Sequence, residues 1–162
     1  MRADPARAVA LISGAAVVLA LAATTRRRAR HDYGELGRLR PSTSASAYLA
    51  YGLHAALLAV AAWRKPRPLP IGARAAGATG LILASAGASL YAAAQMTLAP
   101  PETSGTRMGE LATGGAYRVS RNPQLVGWGL VLLGAAIAGR SAAALGLWAV
   151  FAASLPGTIR DE

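Results

Sequence analysis

Residues 75–101 read AAGATGLILASAGASLYAAAQMTLAPP, twenty-seven positions without a charge. A helix needs about 20 predominantly apolar residues to cross the hydrocarbon of a bilayer, so this run is long enough to span one. The same pattern recurs on either side of it. Ala8–Thr25 holds eighteen uncharged residues, Pro41–Trp63 twenty-three, Asn122–Gly139 eighteen and Ser141–Ile159 nineteen. The charges are gathered into short clusters between these runs, as in membrane chains. The pattern predicts an all-α, polytopic helical membrane protein forming one domain. About five transmembrane helices are expected, near 8–25, 43–63, 75–98, 123–139 and 141–157, with a polar motif loop over 99–122. Only Arg140 separates the last two runs, which predicts a C-terminal helical hairpin with its tip at Gly139-Arg140-Ser141. Gly and Ala fill the runs more than Leu and Ile do, so Gly129, Gly134 and Ala138-Gly139 read as small-residue packing surfaces.

The net charge of +10 would suit a phosphate-rich partner, but its placement argues against nucleic acid. The basic residues stand at the ends of apolar runs, as in Arg26-Arg27-Arg28 and Arg64-Lys65, where they fix topology and meet membrane lipids. The chain has no cysteine and two isolated histidines, which removes disulfides, thiolate chemistry and a zinc centre and leaves no expected metal. The first run also has the outline of a secretory signal, with Arg2 and Arg7 before it and Leu19-Ala20-Leu21-Ala22-Ala23 near its end. The triple arginine directly after it favours an uncleaved span instead.

With five spans, the segments 26–42 and 98–123 together with the tail hold ten basic residues and the opposite side seven. The bias places the N-terminus outside and the motif loop and C-terminus in the cytoplasm, in a multi-pass protein of the cell (inner) membrane. Pro66, Pro68 and Pro70 end the second span in a stiff connector.

The least generic stretch is the motif loop, from Leu111 to Gly127. Gly114-Gly115 reads as a turn, Tyr117 with its neighbouring arginines as an interface-seeking patch, and Asn122-Pro123 as an N-cap followed by proline at the first helical position. A helix starting there turns its free amides and positive dipole end toward that face of the membrane, which favours an anion such as a ligand carboxylate.

These residues resemble a family of membrane methyltransferases that includes isoprenylcysteine carboxyl methyltransferase and the phospholipid methyltransferases. Gly115-Ala116-Tyr117-Arg118, Arg121-Asn122-Pro123, Gly127 and Leu111 fit the family's spacing, and the likeness runs from about Tyr91 onward. Ala116 replaces the family's usual proline, and Leu125 stands where tyrosine is usual. The resemblance implies S-adenosylmethionine as methyl donor and a lipid-soluble or small-molecule acceptor, with no metal. It implies Arg121 as the residue at the reacting groups and Leu111, Ala112, Tyr117, Asn122, Pro123 and Glu162 as cofactor contacts. Glu162 would begin an acidic element holding the cofactor's ammonium. Since the family carries a further polar tail beyond that point, an inactive truncated relative, or a non-enzymatic membrane protein keeping the turn as a fold element, is the alternative.

Each of these residues also has a plainer reading. Tyr117 serves equally as an aromatic anchor at the headgroup level, Arg121 as a ligand of lipid phosphate, and Asn122-Pro123 as a cap. His54, within the second run, reads as a neutral imidazole hydrogen-bonded to a neighbouring helix, and Gln95 lies near the presumed site. The topology is testable with reporter fusions after Arg30 and after Arg67. The first should report a cytoplasmic and the second an external position, and the reverse result would invert the orientation.

Overall fold

The computed structural model describes residues 5–65, 68–107, 112–118 and 120–161. Among these the chain forms five long helices and no strand. They are α1 (Pro5–Leu36), α2 (Pro41–Arg64) and α3 (Ala73–Gln95), then after the short α4 (Pro100–Thr103) and a 3-10 turn (Gly115–Arg118), α5 (Pro123–Ala138) and α6 (Ala142–Asp161). The protein is an all-α membrane protein. The segments Val9–Leu36, Pro41–Arg64 and Ala73–Gln95 are long and apolar enough to cross a membrane, and α5 and α6 are shorter apolar helices.

The first helix does not stop at its triple arginine. Arginine is a good helix former, and α1 runs on to Leu36, where Gly37 at φ +64° donates its N–H to the Tyr33 carbonyl (3.0 Å) and ends it. The chain then reverses in four residues. Pro41 occupies the first turn of α2, and a carboxylate of the preceding helix ties that turn down. The Asp32 carboxylate accepts from the Arg40 N–H (3.1 Å) and the Thr43 hydroxyl (2.6 Å), with the Arg40 guanidinium 3.4 Å away. Asp32 and Thr43 are both buried, so this charge is satisfied by hydrogen bonds, as a buried carboxylate must be.

At the opposite end α2 closes at Arg64, with Lys65 in the left-handed region. The connector that follows pairs with the tip of the α5–α6 hairpin: Leu69 N–H donates to the Arg140 carbonyl at 2.7 Å. The tip lies at Gly139-Arg140-Ser141, and Arg140 takes φ +53°. Ser141 is fully buried, donates to the Ala61 carbonyl (2.9 Å) and accepts from the Ala144 N–H (3.2 Å), which caps α6 and ties it to α2. Leu58, Ala61, Ala62, Leu132, Ala136, Ala144 and Phe151 form the core between α2, α5 and α6. His54 is buried on that side of the bundle with its ring 5.9 Å from that of Phe151.

The tightest packing joins α3 to α5. A Cβ on Gly87 would stand 2.5 Å from the Gly127 carbonyl oxygen, and one on Gly80 would stand 2.6 Å from the Gly134 carbonyl oxygen. Two helices approach this closely only through faces of small residues. Gly87→Ala should therefore lower the melting temperature in detergent, because overpacking a tight contact costs about 1–3 kcal/mol. Gly77→Ala, on the same helix but with nothing within 4 Å of its added methyl, should leave the melting temperature unchanged or raise it through better helix propensity. Equal effects at the two sites would show that the crossing is not tight.

Candidate functional site

The α1–α2 turn and the 99–122 segment meet at one end of the bundle, and two hydrogen bonds to carbonyls of that segment join them. Leu39 N–H donates to the Gly105 carbonyl at 2.7 Å, and the Arg38 guanidinium donates to the Thr106 carbonyl at 3.2 Å. Gly105 takes φ +69°, and a Cβ there would come within 3.1 Å of both Leu39 and the Tyr33 hydroxyl. The loop holds its own shape through Glu102, whose carboxylate accepts from Arg107 (2.8 Å) and from the Ala99 N–H (3.2 Å). Those two bonds, the Arg107 one foremost, hold the Glu102 carboxyl below its usual range.

Behind this junction lies a cavity of about 680 Å³, within the size range of small-molecule sites. One wall belongs to α3 and α5 with the motif turn. There the Tyr117 hydroxyl donates to Gln124 (3.1 Å), the Gln95 amide donates to the Tyr91 hydroxyl (3.2 Å), and the Tyr91 and Trp128 rings stand 6.2 Å apart. The facing wall belongs to α1 and α2, with Thr25, Arg26 and Tyr48 among its residues. Three side-chain atoms at this boundary, Thr25 Oγ1, Gln95 Oε1 and Trp128 Nε1, are buried and have no partner among the described residues.

Of the residues the sequence pointed to, Tyr117, Arg121 and Asn122 line the cavity together, and so does Gln95. Pro123 is buried at the start of α5 directly behind Asn122, as the motif predicts. Ala112 does not line the cavity, and Leu111 and Glu162 lie outside the described residues. One expectation is corrected. Asn122 does precede α5, but its side chain makes no capping hydrogen bond, with φ −130° and ψ 63° turning it away from the helix amides. Its carbonyl does the work instead, accepting from the N–H groups of Leu125 (3.1 Å) and Val126 (3.2 Å), while its own N–H donates to Ser120 Oγ (3.2 Å). The Asn122 side chain is thus buried at the cavity without a capping role.

Sequence reasoning missed Tyr91, Gln124, Trp128 and the whole wall supplied by α1 and α2. A polar residue within a span is a signal that could have found Thr25 and Gln124, because side chains of that kind seldom face lipid.

Residues 75–159, more than half of the chain, match the phospholipid methyltransferase family, and the chain belongs to it. Comparison with curated proteins and with solved structures gave no match. The family region begins with α3 and carries the glycine crossing, the motif turn and the terminal hairpin. The family defines the protein as a membrane methyltransferase.

The loop offers a pH test. Because the Glu102 carboxyl is depressed in the folded protein, its contribution to stability is present at neutral pH and is lost as pH falls below the ordinary Glu value of about 4.3 and through the folded one. Glu102→Gln should melt below wild type at pH 7, and the gap should close in that acidic window. A gap unchanged with pH would remove the charged pair from the loop's stability.

Proposed function

We propose that this protein transfers a methyl group from S-adenosylmethionine to a small or lipid-soluble acceptor within the cavity, on the cytoplasmic side of the cell membrane. The observation that carries the reading is the convergence of the motif residues Tyr117, Arg121 and Asn122 on one cavity with Gln95, Tyr91 and Trp128. The donor set fits such a cofactor. Aromatic faces at Tyr91 and Trp128 suit a cation such as a sulfonium. Arg121 lines the cavity and supplies a positive charge for a carboxylate. When bound, the cofactor supplies a methyl group on a sulfonium, an electrophile strong enough to need no acid or metal to activate it.

The protein's part is therefore positioning and exclusion of water. Arg121 and the start of α5, whose dipole end is positive, hold the anionic end of the donor. Tyr117, fixed through Gln124, closes one side. The Gln95 amide, donating to the Tyr91 hydroxyl, fixes that ring at the wall. Leu111 and Glu162 belong to the same proposal as cofactor contacts.

Titration of S-adenosylhomocysteine into the detergent-solubilised protein should show binding without added metal. Arg121→Ala should weaken it by about tenfold or more, since a hydrogen bond to a charged group is worth about 1.5–3 kcal/mol. The melting temperature should hold, because Arg121 is exposed. Absence of binding at millimolar ligand would overturn the methyltransferase reading, and full affinity in Arg121→Ala would remove that residue from the site.

A further inference from the structure

The segment after α3 satisfies its own main chain. Each N–H from Glu102 to Arg107 donates to a carbonyl between Ala99 and Glu102, at 2.9–3.1 Å, and the Ala99 N–H donates to the Glu102 carboxylate. Side chains tighten the same knot. The Ser104 and Thr106 hydroxyls both donate to the Pro101 carbonyl at 3.1 Å, and Glu102 accepts from Arg107. A folded segment must place its main-chain donors somewhere, and this one places them within itself. Residues 99–107 therefore form a compact body that can shift without breaking its own bonds.

What this body offers outward is two carbonyls. Those of Gly105 and Thr106 accept from the Leu39 N–H and the Arg38 guanidinium of the α1–α2 turn, and Asp32 holds that receiving turn firm. Glu102, Thr103, Ser104 and Gly105 line the cavity on one side of this latch, and Tyr33 and Leu39 line it on the other. Parting the latch thus separates two lining elements and opens the wall at that end of the bundle. Exposed hydrogen bonds such as the Arg38 one mark places where a fold opens locally at a cost well below that of global unfolding.

We propose that residues 99–107 are a lid on the cavity, latched by Gly105 and Thr106 to Leu39 and Arg38, and that release of the latch admits ligand from the aqueous end of the bundle. Gly105 lets the lid close. It takes φ +69°, and an added Cβ would stand 3.1 Å from both Leu39 and the Tyr33 hydroxyl, so any side chain there would hold the lid off the turn. The lid lies within residues 75–159, while Arg38 and Leu39 lie outside them. The N-terminal hairpin thereby controls access to a site that the family region builds. That the admitted ligand is the methyl donor rests on the function proposed above; that the lid opens the cavity does not.

The chain has no cysteine, so introduced thiols report alone. Thr25→Cys puts one at a buried position of the cavity wall. Its rate of modification by a small water-soluble methanethiosulfonate, measured on the full-length protein in lipid nanodiscs, reads the opening. Arg38→Ala removes one latch bond and should raise that rate about fivefold, the net worth of one hydrogen bond, at an unchanged melting temperature. Gly105→Ala should raise it as well. The opposite test locks the lid. Arg38→Cys with Thr106→Cys, joined by a reducible bifunctional methanethiosulfonate, should slow association and dissociation of S-adenosylhomocysteine alike by about tenfold or more, as when lid motion limits exchange. Reductant should restore both rates, which damage to the fold would not allow. A thiol rate that ignores both latch substitutions, or ligand exchange that ignores the crosslink, overturns the lid. If S-adenosylhomocysteine does not bind the uncrosslinked protein, the methyltransferase reading falls and the thiol rates alone decide the lid.

Discussion

Two carbonyl oxygens on α5 lie where no side chain on α3 could tolerate them. The crossing at Gly80–Gly134 and Gly87–Gly127 brings main chain against main chain, and it fixes how the polar residues of α3 and α5 stand toward one another in the cavity's wall. Two turns beyond Gly87 on α3 lies Gln95, and just before Gly127 on α5 lies Gln124. With the helices locked at the glycines, Tyr91 sits opposite Trp128 and the motif turn has one place to dock. In a bilayer, where burial of apolar side chains supplies little drive for helices to associate, such close packing is the chief source of fixed geometry.

Beside the side-chain core that joins α2 and α6 to α5, main-chain bonds fasten the N-terminal hairpin to the rest at both ends. The connector after α2 meets the hairpin tip through Leu69 and Arg140, and the α1–α2 turn meets the loop after α4 through Leu39 and Gly105. Asp32 keeps the second junction in register by tying the end of α1 to the first turn of α2. Between these fastenings the N-terminal hairpin stands off from α3 and leaves the cavity.

Helix existence was legible because the length of an uncharged run is a local quantity, and the hairpin tip was legible because a lone arginine between two such runs leaves the chain little else to do. The end of α1 was not. A triple arginine marks a membrane boundary and not a helix boundary, and only Gly37, eleven residues after Arg26, supplied a stop. Asn122 was read as a side-chain cap from its type and its neighbour Pro123, but dihedral angles set by packing decide whether that side chain reaches the amides. The motif half of the site was visible because its residues are close in sequence. Thr25, Tyr48 and Trp128 come from three different helices, and nothing in the chain order brings them together. Glu102 and Arg107 are five residues apart and were readable in principle, but a four-residue helix opening on Pro100-Pro101 left no periodicity to follow.

The helices also differ in length in a way that bears on the surrounding lipid. At 16 residues α5 rises about 24 Å, and at 32 residues α1 rises about 48 Å, against hydrocarbon about 30 Å thick. One undershoots the bilayer core while the other overshoots it, and both belong to one bundle, so neither is free to adjust its tilt alone. Lipid around a bundle of such unequal helices would have to change its thickness locally to meet both.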